Sequence, residues 1–217
     1  MVRIYCLLIG YAFGLFQTAY FYGKLKGIDI RTVGSGNAGT TNTLRVLGTK
    51  AGLIVLAGDI LKTMAAILIV KLLFREAYPD KIYLLMLYTA TGAILGHNFP
   101  FYLKFKGGKG IASTAGLILS FHPYFIITGV ILFFGTFFTT HYVSLGSLLV
   151  YAGFMIQLVI SGQMGLFSGA SQAVLNEMYA VGLFLTVMAY WRHRSNIQKL
   201  IQGTERKTYL TKKNEEK

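Results

Sequence analysis

The chain has 217 residues, of which 54% are apolar and only 13% charged. Soluble domains carry roughly a quarter charged residues, so this composition excludes a soluble globule, which would have to expose wide apolar faces to water. The formal charge of +13 fits the Lys and Arg excess of cytoplasmic loops in a membrane protein better than a nucleic-acid-binding surface.

A helical crossing needs about 20 mostly apolar residues. Residues 2–22 supply the first, with Arg3 ahead of it and no small-residue cleavage pattern behind, so it reads as a retained span and not a removed signal peptide. Its Cys6 is the chain's only cysteine, which excludes an internal disulfide framework.

The loop 23–50 follows, with GSGNAGTTNTLR at 34–45. Glycines interleaved with Ser35, Asn37, Thr40, Thr41 and Asn42 can turn tightly and present backbone N–H groups to phosphate ahead of a helix. Arg45 adds a planar fork suited to phosphate oxygens.

Residues 51–74 form the second span. Asp59 and Lys62 lie within it three residues apart, on one helix face. Intramembrane charges are functional candidates by default, but mutual pairing explains these two as structural support. Residues 82–100 form the third span, with His97 and Asn98 near its end.

GHNFPFYLKFKGGKG, residues 96–110, carries Lys104, Lys106 and Lys109 and a turn of Gly107, Gly108 and Gly110. A glycine-rich turn opening a helix joins free N–H groups to the positive dipole end. It is not a Walker A loop, because Gly110 stands where Ser or Thr should follow the lysine. Lys106 reads as a headgroup-facing charge.

The stretch 111–138 is long for one crossing and short for two. His122-Pro123 interrupts it, and proline cannot continue a helical ladder, so two short helices meeting there are expected. Spans at 143–160 and 173–191 complete the set.

With seven crossings, one side of the membrane holds 16 of the 21 Lys and Arg residues. The expected fold is therefore an all-α integral membrane protein of about seven transmembrane helices, N-terminus outside and C-terminus cytoplasmic. It is a single polytopic domain, 1–217, with motif loops 23–50, 101–110 and 192–205 gathered on one side.

The last of these, RHRSNIQKLIQGTE at 192–205, places His193 and Asn196 on one helical face, while Ile197, Leu200 and Ile201 are expected to pack inward. Lys212 to Lys217 read as a frayed end.

Acids on this side are too sparse and scattered for a carboxylate-bound metal. No histidine is followed five residues later by aspartate, so the His-Asp dyad of coenzyme-A-dependent glycerolipid acyltransferases is missing. A phosphate-ester transporter should show inverted repeats, and none is visible.

The three motifs, in this order over essentially the whole chain, resemble the acyl-phosphate-dependent glycerol-3-phosphate acyltransferases of bacterial membranes. That resemblance implies acyl transfer from acyl phosphate to the 1-hydroxyl of glycerol 3-phosphate at the cytoplasmic face of the bacterial inner membrane. It implies no cofactor, and an acyl phosphate supplied by a separate phosphate acyltransferase. By position it implies catalytic roles for Ser35, Arg45, His193 and Asn196, to which Lys104 is added for its charge and His97 for its chemical type as an acid-base group. Asn37, Thr41, Asn42, Asn98, Gly107, Gly108, Lys109 and Gly110 become the substrate- and phosphate-binding candidates. Lys199 stands where arginine is also usual.

Neither histidine has an acid partner evident in the sequence. A substrate phosphate, with a second pKa near ~6, is therefore the expected proton acceptor.

Overall fold

The computed structural model describes residues 1–210, and the expected frayed end lies outside the described residues. Every regular element among them is helical: α1 Val2–Gly14, α2 Thr18–Leu25, α3 Thr40–Phe74, α4 Ile82–Asn98, α5 Ile111–Phe121, α6 Pro123–Thr140, α7 Val143–Gln163, α8 Gln172–Arg192 and α9 Arg194–Ile201. Among the described residues, five stretches are long and apolar enough to cross a membrane: Val2–Leu25, Thr40–Phe74, Pro123–Thr140, Val143–Gln163 and Gln172–Arg192. At 17 residues α4 is slightly shorter, and α5 has only 11. The protein is thus an all-helical, multi-pass membrane protein.

The break at His122-Pro123 falls where the sequence placed it. α5 stops at Phe121, His122 is extended, and Pro123 opens α6 as its first residue, where its missing N–H removes no helical bond.

The first span is not continuous, contrary to expectation. The chain turns at 15–17, and the buried Gln17 explains why. Its amide Nε2 donates to the carbonyls of Gly14, Gly96 and His97, satisfying groups that the ends of α1 and α4 leave open.

α1 and α4 form the closest pair, because small residues line their contact. A Cβ on Gly10 would overlap the carbonyl of Thr89, and one on Gly92 would overlap the carbonyl of Leu7. Gly14 and Gly96 meet the partner backbone in the same way. Without a hydrophobic drive between helices in lipid, such backbone approach supplies the van der Waals contact.

At the far end of this pair, Arg3 grips Glu177 of α8, which also accepts from Tyr88. A core of Ile94, Leu117, Phe121, Phe125, Tyr151, Phe154, Leu158 and Met178 joins α4 to α8.

α3 spans 35 residues, about 52 Å at 1.5 Å each, against a hydrocarbon core of about 30 Å. Gly48, at φ 84°, ψ 174°, kinks it. The first two turns, which carry motif residues 40–47, are thereby separated from the crossing part.

Candidate active site

The three motif regions converge on a cavity of about 160 Å³. Ten of the catalytic and binding candidates named from the sequence line it: Ser35, Asn37, Thr41, Asn42, Arg45, His97, Lys109, Gly110, His193 and Asn196. Thr40, Asp59, Ser144, Ser147 and Glu205 line it as well.

Two helices begin at its wall. Gly39 in extended conformation precedes α3, and Gly110, left-handed at φ 84°, precedes α5. That φ is the reason a glycine stands at the second of these starts. Gly39, Thr40, Thr41 and Asn42 of one start, and Gly110, Ile111 and Ala112 of the other, all face the cavity. First-turn N–H groups have no helical acceptor, so the cavity receives two sets of donors and two positive dipole ends.

The first motif is shaped by Asn42. Its side-chain oxygen accepts from the Ser35 amide at 2.8 Å, and its nitrogen donates to the carbonyls of Ile30 and Val33, both at 3.0 Å. Asn42 is therefore occupied as a staple of the loop, and Ser35 is carried to the cavity mouth by it. A glycine is required at 34, since a Cβ there would overlap Asn42 Oδ1.

The second motif departs from the expected phosphate cradle at its first two glycines. The amides of Gly107 and Gly108 donate to the carbonyls of Asn98 and His97, at 3.2 and 3.1 Å. Their carbonyls are held by Arg192, whose Nη2 lies 2.7 Å from Gly108 O and 3.3 Å from Gly107 O. Both glycines are small because they pack against α4: Cβ atoms would overlap His97 O and His97 Nε2. Neither lines the cavity; they position Lys109 and Gly110, which do.

Asn98 is likewise buried behind the wall, with its oxygen beside Gly110 and its nitrogen turned to Met188 Sδ. Lys104 is exposed, closing the short 3-10 turn Phe101–Leu103 in a left-handed conformation, and does not reach the cavity.

Lys109 donates to Asn196 Oδ1, whose Nδ2 donates to Glu205 Oε1 at 2.7 Å; Ser144 Oγ donates to the same oxygen at 2.7 Å. Burial lowers the Lys109 ammonium from 10.5 to about 8, partly opposed by the Glu205 charge. His193 is buried at the α8–α9 junction, and burial together with the neighbouring Lys109 charge lowers it to about 4. Its Nδ1 lies 2.8 Å from the Ala189 carbonyl. A carbonyl can only accept, so Nδ1 carries the proton and Nε2 holds a lone pair.

On α9, Ile197 and Leu200 are partly covered, whereas Ile201 is 82% exposed and does not pack inward as expected. It ends the helix, and the chain turns away just beyond it at Gly203, φ 69°.

Beyond that turn, residues 204–210 run back across the cavity mouth. Arg45 Nη2 donates to the carbonyl of Arg206 at 3.0 Å and to Thr208 Oγ1 at 2.6 Å, and the Thr208 amide donates to His141 O. Arg45 Nε is buried with no hydrogen-bond partner among the described residues.

Arg192 and Glu205 were not among the sequence candidates. Arg192 reads as one more basic flank, and Glu205 as one of the scattered acids. The signal that marked them was only their place inside the third motif.

A multi-helical membrane fold with one anion-gathering cavity at the end of its bundle defines the class: a membrane enzyme acting on phosphate-bearing molecules. The glycerol-3-phosphate acyltransferase family model matches residues 4–203. A glycerol-3-phosphate acyltransferase of Thermosipho melanesiensis is 40% identical over 96% of this chain and 94% of its own length. That of Bacillus subtilis is 37% identical over 93% and 95%.

Among solved structures, the crystal structure of PlsY (YgiH), an integral membrane glycerol 3-phosphate acyltransferase, in its glycerol 3-phosphate form superimposes with a TM-score of 0.81. The two share 28% identity over 95% of this chain and 96% of that one. Its lysophosphatidic acid form gives a TM-score of 0.78 at 26% identity. The chain belongs to the glycerol-3-phosphate acyltransferase family.

Proposed function

We infer that the protein transfers a fatty acyl group from acyl phosphate to the 1-hydroxyl of glycerol 3-phosphate, releasing lysophosphatidic acid and inorganic phosphate. The observation that carries this reading is the convergence of two helix starts with Arg45 and Lys109 on one cavity. Both substrates are phosphate anions. Charge-assisted bonds from a guanidinium and an ammonium, with backbone donors between them, suit two such groups at once. That one structural neighbour is described in a glycerol 3-phosphate form and another in a lysophosphatidic acid form supports the same acceptor and product.

In the reaction the glycerol oxygen attacks the acyl carbonyl carbon, and the bond from that carbon to the phosphate oxygen breaks. Acyl phosphate is a mixed anhydride with a good leaving group, so no covalent enzyme intermediate is needed. Orientation and stabilisation of the carbonyl oxyanion supply most of the barrier reduction.

His193, neutral at cytoplasmic pH, offers its Nε2 lone pair to orient the attacking hydroxyl. A group titrating near 4 is a weak base, so the proton passes to a substrate phosphate, whose second pKa is near ~6. Ser35 and Asn196 bind from the cavity lining, and Arg45 turns from the Arg206 carbonyl and the Thr208 hydroxyl to the incoming phosphate.

Topologically, the first span (α1 with α2) and α3 through α8 supply seven crossings, with the N-terminus outside and the cavity on the cytoplasmic face of the inner membrane. The acyl phosphate comes from a separate phosphate acyltransferase.

The deciding experiment gives purified protein glycerol 3-phosphate with either acyl phosphate or acyl-coenzyme A. Lysophosphatidic acid should form from acyl phosphate alone; formation from the thioester only would overturn the donor assignment. Cysteine labelling in intact cells should reach Arg45→Cys and Lys109→Cys from the inside only.

A further inference from the structure

We propose that Lys62 is a positioning residue that locks His97 as a hydrogen-bond donor to the bound substrates, so that His97 serves as an anion-stabilising group and not as a base. The proposal rests on the reaction above and concerns a pair within α3 that the motifs do not include.

Lys62 is 7% exposed, and its ammonium has three partners: Asp59 Oδ1 at 2.7 Å, the Phe16 carbonyl at 2.8 Å and His97 Nδ1 at 2.9 Å. An ammonium has three donors and no lone pair. Each proton is thereby assigned, and His97 Nδ1 has to accept. Its single ring proton then resides on Nε2, the one ring nitrogen left for a ligand in the cavity that His97 lines.

The backbone of this histidine is held as well. Its carbonyl accepts from the Gly108 amide and from Gln17 Nε2. Gly108 lies so close to Nε2 that a Cβ would overlap it.

Asp59 holds the cation in place. Its Oδ1 also accepts from Thr18 Oγ1 at 3.0 Å, and it sits 3.6 Å from His97 Nδ1. A plain ion pair on one helix would need only Asp59 and Lys62. The third donor aimed at an imidazole across the α3–α4 contact is what a tautomer lock adds.

The two histidines of the cavity are thereby complementary, Nε2 of His193 accepting and Nε2 of His97 donating. One suits a hydroxyl, the other a phosphate oxygen or developing oxyanion.

The test uses full-length protein in lipid nanodiscs, with ring nitrogen-15 labelling of histidine and His97→Gln to assign the signal. Wild type should show His97 protonated at Nε2 and accepting at Nδ1. Asp59→Asn/Lys62→Met removes the donor while leaving no uncompensated buried charge, and it carries the test if Lys62→Met alone does not fold. It should lose the single tautomer and lower kcat/KM about tenfold to a hundredfold, as a lost orienting partner does. His97→Gln, whose amide nitrogen still donates, should keep more activity than His97→Leu.

A wild-type His97 protonated at Nδ1 overturns the proposal. So does a double variant that keeps the tautomer, or one that loses it with kcat/KM within twofold of wild type. Should wild type fail to turn over acyl phosphate with glycerol 3-phosphate, the assigned reaction falls, and the spectrum still decides the tautomer.

Discussion

Burial gives Lys109 an unusual titration and with it a signature in the rate. Its ammonium is held at about 8 in place of 10.5, so the cation that meets substrate phosphate is lost as pH rises through 8. The profile of kcat/KM reports groups in the free enzyme. At pH 9, one unit above the midpoint, about one molecule in ten retains the charge. kcat/KM should fall about tenfold between pH 7 and 9. Lys109→Arg replaces the amine by a group protonated throughout this range, so its alkaline limb should vanish, whatever its absolute rate.

The same lysine acts on stability in the opposite direction. The unfolded chain holds this proton up to 10.5 and the folded one only to about 8, so the unfolded state binds more protons between those values. Unliganded wild type should therefore gain stability relative to Lys109→Met as pH rises from 8 to 10.5. Measuring initial rates of lysophosphatidic acid release from pH 5 to 10 decides the matter. Identical alkaline limbs in wild type and Lys109→Arg would refute the reasoning.

Removing Lys109 as Lys109→Met deletes a charge-assisted contact of about 1.5–3 kcal/mol, so KM for a phosphate substrate should rise roughly ten- to a hundredfold. Lys104→Ala, at an exposed position away from the cavity, should change kcat/KM by less than about threefold under the same assay, since surface changes act within ~0.5 kcal/mol. Asn42→Ala removes three hydrogen bonds that shape residues 30–35, each worth about 1 kcal/mol net. It should lower kcat and open the 30–39 loop to proteolysis, and a loop as resistant as wild type would count against its role as staple. Gly10→Val forces a side chain into the backbone of α4, and overpacking of this kind costs about 1–3 kcal/mol or more. A melting temperature in detergent unchanged from wild type would show that α1 and α4 do not pack as closely as described.

The sequence disclosed the helices and the three motifs because both signals are local. Apolar runs declare their length, and Pro123 announces a break by lacking an amide proton. What stayed hidden depends on which group each polar atom meets. Gly107 and Gly108 invite the reading of a phosphate cradle, yet their amides close onto α4 and their carbonyls onto Arg192. A glycine that turns a loop and one that lets two backbones touch look alike in one dimension. Residues 2–22 read as one unbroken span, and only the three carbonyl partners of Gln17 explain the break inside it. Asp59 and Lys62 were legible as a pair from their spacing, but not the histidine from another helix that completes the set.

Glu205 shows how such a cavity stays folded when empty. Arg45 and Lys109 would repel each other across a poorly solvated space, where charges interact far more strongly than in water. Glu205 supplies one opposing charge, held by Asn196 and Ser144 and not by direct contact with either cation. The two helix starts add positive potential without any ion to desolvate. Asp59, the other carboxylate of the lining, is matched by Lys62, so Glu205 alone stands against two cations and two dipole ends and the cavity remains net attractive to anions. Each arriving phosphate then improves the balance, where a neutral molecule leaves it unchanged. Preference for doubly charged substrates thus follows from charge left deliberately unmatched in the fold, and the glycine turns matter because they bring those helix starts within reach of the same small volume.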